Sequence, residues 1–102
     1  MNINIKATNT TLTPAIRAAI ESKLDKLVKF FKAEDKIRVE VEMDKKHKSG
    51  QIARAEIDVK PHGYYAEAWG EDFYQALDMV VPKIKEQMLK AKDKKISRRK
   101  GN

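Results

Sequence analysis

KIRVEVEMDKKHKSGQIARAEIDVKPHGYYAEAWG, residues 36–70, contains three runs in which apolar and polar side chains alternate. In the first run Ile37, Val39, Val41 and Met43 fall on one side, and Arg38, Glu40 and Glu42 on the other. The second places Ala53, Ala55, Ile57 and Val59 together. The third places Tyr64, Ala66 and Ala68 together, with Tyr65, Glu67 and Trp69 opposite. A period of two marks a strand with one buried face. KKHKSG and PHG read as short turns, so the three strands form an antiparallel meander. Such a sheet packs on one side and leaves the other largely open to water.

Upstream, NINIKAT alternates too, with Ile3, Ile5 and Ala7 on one face. TLTP then starts a helix, because Thr13 suits the cap and Pro14 the first helical position. Ile16, Ile20, Leu24, Leu27 and Phe31 form a narrow apolar stripe, so helix one is expected to run to Phe31. After the meander, Asp72 is expected to cap a second helix, with Gln75 completing a pair of the capping-box kind. Phe73, Leu77, Val80, Ile84, Met88 and Ala91 make its stripe; past Ala91 only Ile96 continues it, so the end is expected to fray. The expected fold is α+β in the order β-α-β-β-β-α: a four-stranded sheet with both helices packed on one face and the other face open. One domain over residues 1–95 and a short basic flexible tail over 96–102 account for the 102 residues.

The formal charge of +7 and the pI of about 9.6 point to a polyanionic partner. From Lys83 onward the chain is dominated by Lys and Arg, opposed only by Glu86 and Asp93, whereas acids and bases balance before it. Cysteine is absent, which excludes disulfides and thiolate chemistry. The N-terminus lacks the pattern of a signal peptide and no apolar run is long enough to span a bilayer, so a cytoplasmic protein is expected. The stripe of helix two is needed for the core, which leaves no bulky apolar face for a membrane.

Catalysis finds little support. His47 and His62 sit in turns, outside any i, i+4 metal pair, and there is no Gly-rich phosphate loop. Glu40, Glu42, Glu56 and Asp58 alternate along an exposed strand face with Arg38 and Arg54 as cross-strand partners. No enzyme activity, metal, cofactor or small-molecule substrate is expected. KKHK at the hairpin tip serves phosphate contact and solubility equally well. The helical lysines are more informative. Lys83, Lys90 and Lys94 lie along one flank of helix two, Lys85 and Lys92 along the other. In helix one Lys23 and Lys26 share a flank, with Lys29 farther outward. Packed side by side, the helices are expected to merge these flanks into one positive surface suited to nucleic-acid phosphates. Charge alone leaves RNA and DNA open. Tyr65 and Trp69, the outward aromatics, lie on a sheet face that reads as acidic.

Element order, TPAIR and KLDKL in helix one, and above all AEAWGEDFYQALDMVVPKIKEQMLKAKDK resemble the ribosome hibernation promoting factor family. That family includes the translation inhibitor called protein Y. The resemblance implies a non-catalytic protein that binds the decoding region of the small ribosomal subunit and its ribosomal RNA. It would block messenger and transfer RNA binding in stationary phase or stress. It also implies joint action with a ribosome modulation factor to promote inactive ribosome dimers. Because the chain ends soon after helix two, the short form is expected. A protein Y-type inhibitor holding single ribosomes is the alternative, and a general double-stranded RNA-binding module the competing class. RNA-binding positions matching the family are Arg17, Lys23, Lys26, Lys83, Lys90 and Lys92; Lys29, Lys94 and Lys95 extend them by proximity. Three residues depart from the family pattern: Glu86 where relatives often carry Arg, Trp69 where they carry a small or polar residue, and Pro82 inside helix two.

Overall fold

The computed structural model describes residues 2–45 and 50–101, with side chains as far as Ala91 in the final helix. The hairpin tip at 46–49, with His47 and most of the KKHK cluster, lies outside the described residues. So do the side chains of Lys92, Lys94 and Lys95. The elements are β1 (Asn2–Thr8), α1 (Pro14–Asp25), a 3-10 turn (Val28–Phe30), β2 (Lys36–Met43), β3 (Ala53–Lys60), β4 (Tyr64–Gly70) and α2 (Phe73–Gly101). The sheet order is β1-β2-β3-β4. β1 runs parallel to β2 and the other pairs are antiparallel. A parallel pair needs a crossover, and α1 supplies it. This is the expected β-α-β-β-β-α fold.

The inward sets read from alternation form the core: Ile37, Val39, Val41, Ala53, Ala55, Ile57, Val59, Ala66 and Ala68 are all buried. From the helices, Ile20, Leu24, Leu27, Phe73, Ala76, Leu77, Val80, Ile84 and Met88 close over them. At about 25 cal/mol per Å² of apolar surface removed from water, this single layer is the main stabilising term.

Thr13 caps α1 as expected, its Oγ1 accepting the Ile16 N–H at 3.2 Å with Pro14 at the first helical position. The helix stops at Asp25, however, six residues before Phe31. The Leu27 N–H turns to the Leu24 carbonyl at 2.9 Å and the chain tightens into the 3-10 turn. A continuous α-helix at ~100° per residue would put Val28 and Phe30 at equal angles on either side of the stripe. The tighter turn separates them: Val28 is 47% exposed, while Phe30 and Phe31 pack on the core.

α2 starts where expected. Asp72 Oδ1 accepts the Gln75 N–H at 2.8 Å, and Gln75 Oε1 accepts the Glu71 N–H at 2.7 Å. One N–H that the first turn leaves without a helical partner is thereby satisfied, and so is the N–H of Glu71 just ahead of the cap. Gly70, just before, cannot carry a side chain: a Cβ there would lie 2.8 Å from the Ala76 backbone nitrogen. Ala91 departs from the expected stripe, being exposed, so α2 leaves the core after Met88. Its backbone stays helical to Gly101, through the stretch read as a tail. Pro82 lies within the helix without ending it, and both it and Asp78, whose carbonyl loses a donor, are exposed.

Candidate nucleic-acid interface

The open face of the sheet comes first, because it excludes itself. Glu40, Glu56 and Glu67 stand in register across β2, β3 and β4, a row of like charges that would repel. Arg54, only 11% exposed at its side chain, resolves this. Its guanidinium lies 3.2 Å from Glu40, 2.8 Å from Glu42, 2.6 Å from Glu56 and 3.1 Å from Glu67. Burial works against that charge, but hydrogen bonds and attraction from Glu56 and Glu42 outweigh it and hold the group well above the ordinary arginine value. The hydrogen bond from Thr8 (2.7 Å), aided by Arg54 and opposed by burial, holds Glu40 below the usual carboxylate range. Arg38 adds contacts to Glu56 at 3.5 Å and Asp58 at 3.8 Å. The face read as acidic is therefore neutral: Lys6, Lys36, Arg38, Arg54 and Lys60 match Glu40, Glu42, Glu56, Asp58 and Glu67. It offers no net attraction to a polyanion. Tyr65 belongs to the same network, donating to Glu56 at 3.2 Å. Burial first, then Glu56 and Glu67, push its phenol up.

The helical side differs. Asp78, Val81, Pro82 and Lys85 recur at i, i+3, i+4 and i+7, so they share one face of α2. That face meets Lys23 of α1, with Lys26 and Leu27 just past its end, across a groove of about 320 Å³. Three lysines and one carboxylate thus line the groove. Lys23 pairs with Asp78 across the groove, whereas Lys26 and Lys85 are exposed. The excess charge and the groove shape suit the phosphates of a nucleic-acid backbone.

The structure brings together only part of the surface expected from sequence. Lys23 and Lys26 sit in the groove. Lys83 lies on the opposite flank, where its ammonium donates to the Glu67 carbonyl at 3.0 Å. Beside it Gln87 accepts the Tyr65 N–H at 3.0 Å and donates to the Tyr65 carbonyl. Together these side chains cover the outer edge of β4, which would otherwise present unpaired backbone groups. Lys90 shares that flank by its seven-residue spacing and pairs with Glu86 at 2.9 Å, both well exposed. Arg17 is exposed on α1, and Lys29 holds its ammonium 5.3 Å from the Phe30 ring centroid.

Two groove residues were left out of the sequence-derived set. Lys85 was visible as a flank residue, but which flank of α2 faces α1 depends on packing. Asp78 gave no signal beyond its i+7 relation to Lys85. His62, read as an ordinary turn residue, instead places Nδ1 2.7 Å from the buried carboxylate of Asp35.

Comparison with known proteins agrees with this architecture. The family described as sigma 54 modulation protein / S30EA ribosomal protein matches residues 3–96. A ribosome hibernation promoting factor from Klebsiella oxytoca is 34% identical over 94 residues, covering 92% of this chain and 96% of that protein. The crystal structure of the N-terminal domain of Protein Y from Thermus thermophilus superposes with a TM-score of 0.69 at 33% identity. It covers 86% of this chain and 96% of that domain. A ribosomal subunit interface protein from Coxiella burnetii shares the fold, with a TM-score of 0.73 at 23% identity over 91% of this chain and 99% of that one. With nearly its whole length matched, the chain belongs to the S30EA ribosomal protein family, that of the ribosome hibernation promoting factors.

Proposed function

We propose that this protein is a non-catalytic ribosome hibernation factor of the cytoplasm that docks its helical side on ribosomal RNA of the small subunit. The observation that carries this is the groove in which Lys23, Lys26 and Lys85 converge between α1 and α2, in a chain of this family. Arg17 on α1 and Lys29 in the 3-10 turn extend the contact, and Lys83 and Lys90 supply a second line of cations on the outer flank of α2. Lys92, Lys94 and Lys95 continue the charge along the emerging helix, and the basic residues after 96 add a further electrostatic aid. The neutral sheet face is left turned away.

In this reading the bound protein occupies the decoding region. It excludes messenger and transfer RNA and, with a ribosome modulation factor, favours inactive ribosome dimers in stationary phase or stress. Binding driven by phosphate contacts releases condensed counterions, so affinity falls steeply with salt. Sucrose-gradient profiles of purified ribosomes test the biological half. Adding the protein with the modulation factor should build a dimer peak and prevent binding of a labelled messenger. A profile unchanged by the protein, with messenger binding intact, would refute it.

A further inference from the structure

At the end of α1, away from the inter-helix groove, lies a second cavity of about 580 Å³. One wall is the 3-10 turn and the loop after it, with Lys29, Phe30 and Lys32. The other is the β3–β4 turn, with His62 and Tyr64, and Leu89 of α2 completes the lining. Asp35 ties the two walls together. Its carboxylate is buried and accepts the Lys32 backbone N–H at 2.8 Å while facing His62 Nδ1 at 2.7 Å. A carboxylate only accepts, so Nδ1 carries the proton and the ring is held in one orientation. The fixed imidazole stacks on Tyr64, with ring centroids 5.4 Å apart and planes 7° from parallel. The exposed Lys29 places its ammonium 5.3 Å from the Phe30 ring centroid, at the cavity rim.

An aromatic plate, an aliphatic floor and two ammonium groups at the rim form an unusual combination. A free anion has no use for the rings, and an apolar ligand has no use for the lysines. A nucleotide uses both, because its base has a π-face and its phosphate a charge. The cavity volume falls in the range of small-molecule sites, about 300–1,000 Å³. We infer that this cavity receives one unstacked nucleotide of single-stranded RNA, with its base against the His62–Tyr64 wall and its phosphate on Lys29 and Lys32. The inference deepens the RNA-binding reading above and rests on it for the source of the nucleotide.

The test is a titration of the isotopically labelled protein followed by amide resonances. Adenosine monophosphate, adenosine and inorganic phosphate form three separate arms. The monophosphate should shift amides confined to 29–32, 62–65 and 88–91. The nucleoside and the phosphate alone should each bind about tenfold more weakly, since each forgoes a stacking or ionic contribution. Changing Lys29→Ala together with Lys32→Ala, both exposed and outside the core, should weaken the monophosphate by a similar factor while leaving adenosine unaffected. No localised shift with the monophosphate, or equal binding of phosphate alone, would overturn the inference. Because no ribosome is present, these outcomes are separable from the larger reading. A silent cavity in a protein that still co-sediments with ribosomes rejects the nucleotide site only. Nucleotide binding without co-sedimentation supports the site and rejects the ribosomal assignment.

Discussion

Lys23 of α1 and Asp78 of α2 form an ion pair across the groove between the helices, so the most sheltered of the three groove ammoniums already holds an anion. Its side chain is 26% exposed against 63% for the carboxylate. On the proposed RNA-binding reading, Asp78 occupies the place a phosphate would take, and RNA would have to compete with it at Lys23. Lys26 and Lys85 are both exposed and would offer RNA freer access.

Changing Asp78→Asn should separate the two roles of that pair. An exposed pair is worth about 0–1 kcal/mol, so the thermal midpoint should barely move. Affinity for ribosomes at low salt should rise a few-fold, about threefold, as Lys23 is released to phosphate, and the gain should shrink as salt screens it. Weaker binding in this variant would mean that Asp78 positions Lys23 rather than competing for it.

Arg54→Met should be the most damaging single change on the open sheet face. It leaves Glu40, Glu42, Glu56 and Glu67 crowded without their shared cation. Breaking a buried ion network by removing one partner costs about 3–5 kcal/mol; partial exposure of Glu67 brings the expectation to about 2–4. The pH dependence has a definite sign. In the native protein Glu40 is held low, so its contribution is present above the unfolded carboxylate value and lost as pH falls through the folded one. In the variant the like charges of these carboxylates repel one another without a shared cation, and that repulsion fades as pH falls. The stability gap between the two proteins, read from urea midpoints, should narrow from pH 7 towards pH 4. Ribosome binding by the folded fraction should be unchanged.

Gly70→Ala should destabilise the start of α2 through backbone contact. The added carbon would sit 2.8 Å from the Ala76 nitrogen and 3.0 Å from Gln75. Neither the helix backbone nor the capping Gln75 can give way freely, so overpacking of about 1–3 kcal/mol is expected in chemical denaturation. A midpoint equal to that of the native protein would show that β4 and α2 are not packed this closely.

Much of this architecture was legible in the sequence, for local reasons. Strand alternation in β2, β3 and β4 and the Asp72–Gln75 cap depend on spacings of two and three residues, which a chain displays directly. The end of α1 was not legible because Phe31 fits a helical stripe as well as it fits the core from a 3-10 turn. The division of the basic surface was hidden for a different reason. Periodicity gives α2 two cationic flanks but does not say which one meets α1, and packing sends Lys83 to the edge of β4 and Lys85 to the groove. The contact between Asp35 and His62 joins positions 27 apart, a separation at which no local pattern survives.

The most direct test of the account is co-sedimentation with purified small ribosomal subunits across a salt series, comparing the native protein with the double variant Lys26→Glu and Lys85→Glu. Both side chains are exposed, so circular dichroism should be unchanged. The native protein should pellet with subunits at about 50 mM salt and dissociate progressively by about 200 mM. The variant should bind at least about tenfold more weakly at the lowest salt, with a shallower salt slope because two phosphate contacts are lost. A folded variant that pellets as well as the native protein, with the same slope, would contradict the assignment of the inter-helix groove as the RNA-binding surface.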